Sequence, residues 1–204
     1  MTSPYRLRAT ILVCTLSPSP QESSSDKIAR DIGSQLEKYR VECRYHRLVD
    51  YDIKPGVEAD MGNDDDWPRI RQDILDSEIL IVSTPTWLGH MSSVAQRALE
   101  RLDAEISIED DKGRPGMFDK VASVAVVGNE DGAHKISADL FQALNDVGFS
   151  LPAQAVTYWN DEAMGSRDYK DLEDIPEVVT NTTATLARNA FHLATLLKKS
   201  SYPA

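Results

Sequence analysis

Three loop segments carry most of the residues capable of chemistry. The first, Leu16 to Ser25, reads Leu-Ser-Pro-Ser-Pro-Gln-Glu-Ser-Ser-Ser and leads into a helical pattern at Asp26. Hydroxyls and backbone N–H groups at a helix N-terminus form an anion cradle, strengthened by the positive end of the helix dipole. The loop has no Lys or Arg and no GxxxxGK[ST] pattern, which excludes a nucleotide-hydrolysing P-loop. The plainer reading is that Ser24 or Ser25 only caps the helix. The second segment is Ser83-Thr84-Pro85-Thr86-Trp87-Leu88-Gly89-His90-Met91-Ser92. Pro85 keeps the chain extended, Trp87 and Leu88 offer an apolar wall, and Gly89 lets a flat ligand approach the backbone. The third is Gly128-Asn129-Glu130-Asp131-Gly132-Ala133-His134. Two glycines around Asn129 suggest a tight loop whose N–H groups point at a ligand edge. His134 is a candidate proton donor, although a lone histidine in a first helical turn is more often a solvated surface residue. Glu130 and Asp131 suit a helix N-terminus and call for no functional role.

Each of these loops follows a short apolar run, at 10–14, 79–82 and 121–127. The runs are nearly continuous, as in parallel strands covered on both faces. Two weaker strands accompany them: Val41 to Val49, where apolar and polar residues alternate, and Leu151 to Thr157, which begins near Pro152. Helical stripes lie between them: Ile28, Ile32, Leu36 and Tyr39; then Val94, Ala98, Leu99 and Leu102; then Ile136, Leu140, Leu144 and Val147. Strand–helix alternation means βαβ units and a parallel sheet. The strands are expected at 8–15, 41–49, 78–83, 120–127 and 151–157. Their apolarity places the first, third and fourth in the centre, giving the order 2-1-3-4-5, a flavodoxin-like three-layer α/β sandwich. The alternative 3-2-1-4-5 would leave the very apolar third strand at an edge. Ligands of such sheets bind beyond the strand carboxyl ends near the switch in winding, where the three loops converge. Ala59 to Asp66 reads as a solvated acidic loop before a helix near Trp67, 106–118 as an inserted loop, Tyr158 to Glu173 as a long polar loop, and Pro176 to Lys199 as a final helix.

These loops resemble those of the NADPH-dependent FMN reductase and flavodoxin-like quinone reductase superfamily. Ser17-Pro18-Ser19 through Ser24-Ser25 resembles its phosphate loop, Thr84 to Ser92 its isoalloxazine loop, and Gly128 to Ala133 its third flavin loop. The resemblance implies an FMN cofactor held by Ser17, Ser19, Ser24, Ser25, Pro85, Thr86, Trp87, Leu88, Gly89, Asn129, Gly132 and Ala133. Leu88-Gly89 and Asn129 to Ala133 would offer N–H groups to the pyrimidine edge, and Tyr158 or Trp159 would add a wall. It implies an NAD(P)H-dependent flavoprotein reductase, with NADPH or NADH as donor and a quinone, flavin or similar small molecule as acceptor in a ping-pong cycle. Such a cycle needs no protein acid or base, so no catalytic residue and no metal ligand is assigned. It also implies a homodimer or homotetramer, with Trp87, Tyr158 and Trp159 offering apolar contact. Other readings are a flavodoxin-type electron carrier and a flavin-free binding protein on the same fold. The loop at 106–118 and the long C-terminal segment are more than a carrier needs. No Arg or Lys cluster marks a site for the 2′-phosphate of NADPH, and Lys135 and Arg167 are candidates for it only by their proximity in chain to the loops.

Composition sets the outer limits. The 204 residues, 41% hydrophobic and 27% charged, suit one globular domain spanning 1–204. With 33 acidic against 22 basic residues the net charge is -11, which opposes encounter with nucleic acid or an anionic membrane. Two cysteines supply neither a disulfide framework nor an iron–sulfur cluster, and a cytoplasmic setting is expected. Arg6 and Arg8 before the apolar run mimic a signal peptide, but the run is short and no small-x-small site follows. Without export, the sequon at Asn181 is a chance match.

Overall fold

The computed structural model describes residues 6–162 and 165–203; residues 163 and 164 of the expected 158–173 loop lie outside it, as do 1–5 and 204. Five parallel strands form the sheet: β1 (Arg8–Val13), β2 (Glu42–Arg47), β3 (Ile79–Trp87), β5 (Val121–Gly128) and β6 (Val156–Asn160). A two-residue strand, β4 (His90–Met91), pairs antiparallel with the end of β3. The order is β2-β1-β3-β5-β6, which is 2-1-3-4-5 when the parallel strands are counted alone. The three most apolar runs are therefore central.

Period-two alternation divides the core between the faces. Ala9, Ile11, Val13, Ile79, Ile81, Val121 and Val127 face helices α1 (Ser24–Glu37) and α5 (Glu177–Lys199). Leu12, Leu80, Val82, Ala122, Val124 and Val126 face α2 (Trp67–Leu75), α3 (Ser93–Leu102) and α4 (Ala133–Asp146). The three helical stripes are where the spacing puts them. Ile28, Ile32, Leu36, Ile136, Leu140 and Leu144 are fully buried, whereas Val94 and Leu99 pack only at the margin.

Three expectations need correction. The last strand starts at Val156, not Leu151: the chain bridges Val121 at Ser150, turns out through Gln154 at φ +55°, and rejoins the sheet at Val156. The third strand runs on past Ser83 to Trp87, with Pro85 inside it opposite Val127. This is possible because β1 no longer pairs there; its last partner on β3 is Ser83. The acidic segment before α2 is not merely solvated. The Asp65 carboxylate and the Arg101 guanidinium are both fully buried and 2.6 Å apart, and Arg101 also donates to the Lys54 and Glu58 carbonyls. One buried arginine thereby holds the 54–66 loop against α3.

Candidate functional site

The carboxyl ends of β1, β3 and β5 open into a cleft of about 280 Å³. Ser17, Ser24 and Ser25 line it from the first loop, Pro85, Thr86 and Trp87 from the second, and Gly128 and Asn129 from the third. Seven of the twelve expected ligand residues thus share one cavity with the glycine that opens the third loop. Ser19, Leu88, Gly89, Gly132 and Ala133 lie outside its lining.

At the α1 end, the cap is neither Ser24 nor Ser25. Ser23 adopts an extended backbone and its hydroxyl accepts the Asp26 N–H at 3.3 Å. The Ser24 hydroxyl is at the cleft and accepts the Lys170 N–H at 3.2 Å. First-turn N–H groups have no intrahelical acceptor, so the Ser24–Ser25 edge of the cleft is a donor edge. Ser19 turns away: its N–H and hydroxyl donate to the Asp50 carboxylate at 2.8 and 2.6 Å. Burial would raise the Asp50 pKa, but the two Ser19 bonds and Arg47 outweigh it and hold the group below the ordinary carboxylate range. Ser19 therefore shapes the loop from outside.

Sequence reasoning missed the cation of this end. The segment after β6 returns to α1 and places Asp168 and Lys170 in the cleft wall. Hydrogen bonds from the Lys170 ammonium to Asp168 and then Asp171 raise its pKa, so it stays protonated. Lys170 is 146 positions from Ser24, and no local pattern announces the meeting. The two candidates for a 2′-phosphate site are both paired, Lys135 with Asp139 and His90, Arg167 with Asp161.

At the other end, β3 and β4 form a hairpin whose turn is Leu88 at φ +51° and Gly89 at φ +72°. Two successive left-handed residues make the turn that matches strand twist, and only the glycine adopts it without strain. Trp87 is 53% exposed at the rim, so it is free to act as a wall rather than as core. A Cβ on Gly89 would meet only the Asp131 carbonyl at 3.8 Å, so the demand there is conformational rather than steric. Gly132, at φ +145°, is the crowded one, since a Cβ there would sit 2.8 Å from the Gly89 Cα. The Leu88 and Gly89 N–H groups expected to face a ring edge donate instead to the Glu130 carboxylate, at 3.0 and 3.2 Å. Glu130 thus has a structural partner that the loop sequence did not reveal.

The remaining candidates separate cleanly. Tyr158 is half-exposed, with His134 edge-on to it at 5.3 Å. Trp159 is buried against Tyr169 and belongs to the core, so it forms neither wall nor exposed contact. Ser92 caps α3 and donates its hydroxyl to the Cys14 carbonyl at 2.6 Å, fastening the second loop to the end of β1. Burial pushes the Cys14 thiol far above the ordinary range, leaving it a neutral core residue.

The cavity suits an elongated anion with a polar flat end. It has a donor edge at one side, where Glu22 and the paired Asp168 and Lys170 also form the wall, a tryptophan at its rim, and Thr86, whose hydroxyl is buried without a partner among the described residues. The residues present therefore fit FMN.

Comparison with known proteins agrees with this chemistry. The sequence profile of the family described as NADPH-dependent FMN reductase matches residues 10–163. Two curated relatives align along nearly the whole chain. The divalent metal cation transporter MntH of Mycobacterium bovis is 31% identical over 94% of the chain, which spans 29% of that protein's length. The 8-demethyl-8-aminoriboflavin-5'-phosphate synthase of Streptomyces davaonensis is 29% identical over 96% of the chain and 80% of its own length. Among solved structures, RosB with bound 8-demethyl-8-formylriboflavin-5'-phosphate superposes with a TM-score of 0.88 at 28% identity, covering 96% of this chain and 82% of RosB. An NADH:FMN oxidoreductase, 17% identical with a TM-score of 0.58 over 92% of this chain and 88% of its own, shares the fold. The chain belongs to the NADPH-dependent FMN reductase family.

Proposed function

We propose that residues 1–204 act as one FMN-binding domain of a flavin-dependent oxidoreductase, reduced by NADPH or NADH and reoxidised by a quinone, a flavin or a similar small acceptor. The observation that carries the reading is the cleft itself, at the switch point of the sheet and lined by all three loops. Ser17, Ser24, the first-turn N–H groups of α1 and the Lys170 ammonium would hold the phosphate. Pro85, Thr86, Trp87, Gly128 and Asn129 would receive the ring end. Bound FMN would supply the hydride and electron chemistry, and the protein its position and electrostatics. Trp87 at the rim would limit which partner reaches the ring, and the hydroxyl of Thr86 would find its missing partner on the ligand. Self-association as a dimer or tetramer would fall at the mouth, where Trp87, Leu88 and Tyr158 are exposed. Among the described residues no helix is long and apolar enough to cross a membrane. The two cysteines, too few for a disulfide framework, support a cytoplasmic setting.

A second reading has its own support: the likeness to RosB, solved with 8-demethyl-8-formylriboflavin-5'-phosphate bound, exceeds that to the NADH:FMN oxidoreductase in both identity and superposition, and a curated relative is an 8-demethyl-8-aminoriboflavin-5'-phosphate synthase. In that reading FMN is the substrate, consumed and altered. Mass analysis of the flavin recovered after aerobic turnover with NADH or NADPH separates the two. Unaltered FMN with oxidised nicotinamide supports the reductase, and a changed flavin mass supports the synthase-like reading.

A further inference from the structure

Ser83 is fully buried in β3 and interrupts an apolar row. Ile79 and Ile81 precede it on the face toward α1, and its partners across the sheet are Val13 of β1 and Ala125 of β5. A hydroxyl buried in such surroundings is costly unless it is bonded. This one donates to the Ser25 carbonyl at 2.7 Å. Within an α-helix that carbonyl already accepts the N–H four residues on, so Ser25 is satisfied without it. What the bond adds is a fixed distance between β3 and the first turn of α1. The Ser83 carbonyl meanwhile accepts the Cys14 N–H at 2.8 Å, which holds the end of β1 to the same residue. Ser24 and Ser25 line the cleft from α1, while Pro85 and Thr86, farther along β3, line it from the second loop. One buried side chain thus joins the two ends of the cleft from beneath.

We propose that Ser83 is a positioning residue that sets the span between the phosphate end and the ring end of the cleft, making the site selective for a phosphorylated flavin. The inference rests on the reading that FMN occupies the cleft. A ligand held at two ends gains from the second only when the span between them matches its own length. Loosening that span penalises FMN and spares riboflavin and inorganic phosphate, each of which uses one end alone.

The test titrates the flavin-free chain and its Ser83→Ala and Ser83→Cys variants with FMN, riboflavin and inorganic phosphate. Loss of one hydrogen bond predicts FMN about three- to tenfold weaker in Ser83→Ala, with riboflavin and phosphate within about twofold of the unaltered chain. Ser83→Cys keeps the volume but donates weakly, so it should lose FMN affinity in the same way. Ser123→Ala is the control: that hydroxyl is buried in β5 without a partner among the described residues, and its removal should leave all three affinities unchanged. An FMN preference over riboflavin that survives in Ser83→Ala would overturn the proposal. So would a loss restored in Ser83→Cys, which would make the role one of packing, or an equal loss for phosphate alone, which would confine the effect to one end. If the unaltered chain binds no FMN, the function reading fails along with this inference; if it prefers FMN to riboflavin and Ser83→Ala keeps that preference, only this inference fails.

Discussion

The Tyr169 hydroxyl donates to the Asp31 carboxylate at 2.7 Å and ties the segment after β6 to the middle of α1. Burial, then the bond and charge of Asp31, push the Tyr169 pKa far above its ordinary value, so the hydroxyl remains a donor throughout the physiological range. Lys27 reinforces the tie by donating to the carbonyls of Tyr169, Lys170 and Leu172. Two residues of α1 thereby hold in place the turn that carries Lys170 to the cleft.

Lys170→Met should weaken FMN about tenfold, roughly 1.4 kcal/mol, while leaving riboflavin nearly unaffected. Lys27→Met should weaken FMN and also lower the melting temperature, because it releases the whole turn. Titrating each variant with both flavins checks the distinction; an equal loss for riboflavin in Lys170→Met would remove the phosphate role.

Trp87→Ala should alter affinity and leave stability almost untouched. A side chain 53% exposed contributes little to the core, so the stability change should stay below about 1 kcal/mol. A lost stacking wall costs FMN binding ~1–3 kcal/mol. Melting temperature and FMN dissociation constant, measured together, test this. A large thermal loss with intact affinity would return Trp87 to the core.

Gly132→Ala should disturb the ring end of the site more than Gly89→Ala does. At Gly132 the added Cβ collides with backbone at 2.8 Å in a conformation reserved for glycine, whereas Gly89 meets nothing closer than 3.8 Å. Strain of this kind is on the order of 1–3 kcal/mol. Urea midpoints of the two variants rank them.

Asp65→Asn should cost about 3–5 kcal/mol, since it leaves Arg101 buried without its counter-charge. Burial alone would raise the Asp65 pKa, but Arg101 and the N–H groups of Met61, Lys54 and Trp67 prevail and hold it well below the carboxylate range. A depressed folded pKa contributes stability that is complete above the unfolded value near 4 and fades as pH falls toward the folded one. The gap in urea midpoint between the unaltered chain and Asp65→Asn should therefore be constant from pH 7 to 5 and shrink from about pH 4 downward.

The sheet order was legible because burial on both faces writes itself into the strands: Ile79 to Val82 reads as central, and Val41 to Val49, with its alternation, as an edge. The loops were legible because Pro85, Gly89 and the serines each limit what the backbone can do. What stayed hidden depends on distant encounters. Lys170 meets Ser24, Asp65 meets Arg101, and Glu130 meets Leu88, each across a separation that no local pattern spans. The last strand was displaced because Leu151, Ala153 and Ala155 supply a strand-like alternation that the turn at Gln154 interrupts. Ser19 illustrates the same limit, since its residue type fitted the phosphate cradle but Asp50, 31 positions away, claims it.

Titration of the flavin-free chain with FMN and riboflavin in parallel bears most directly on the account. The cleft predicts one FMN per chain, bound more tightly than riboflavin, with the difference largely lost in Lys170→Met. A chain that stays colourless at saturating FMN, or that binds both flavins equally, would contradict it.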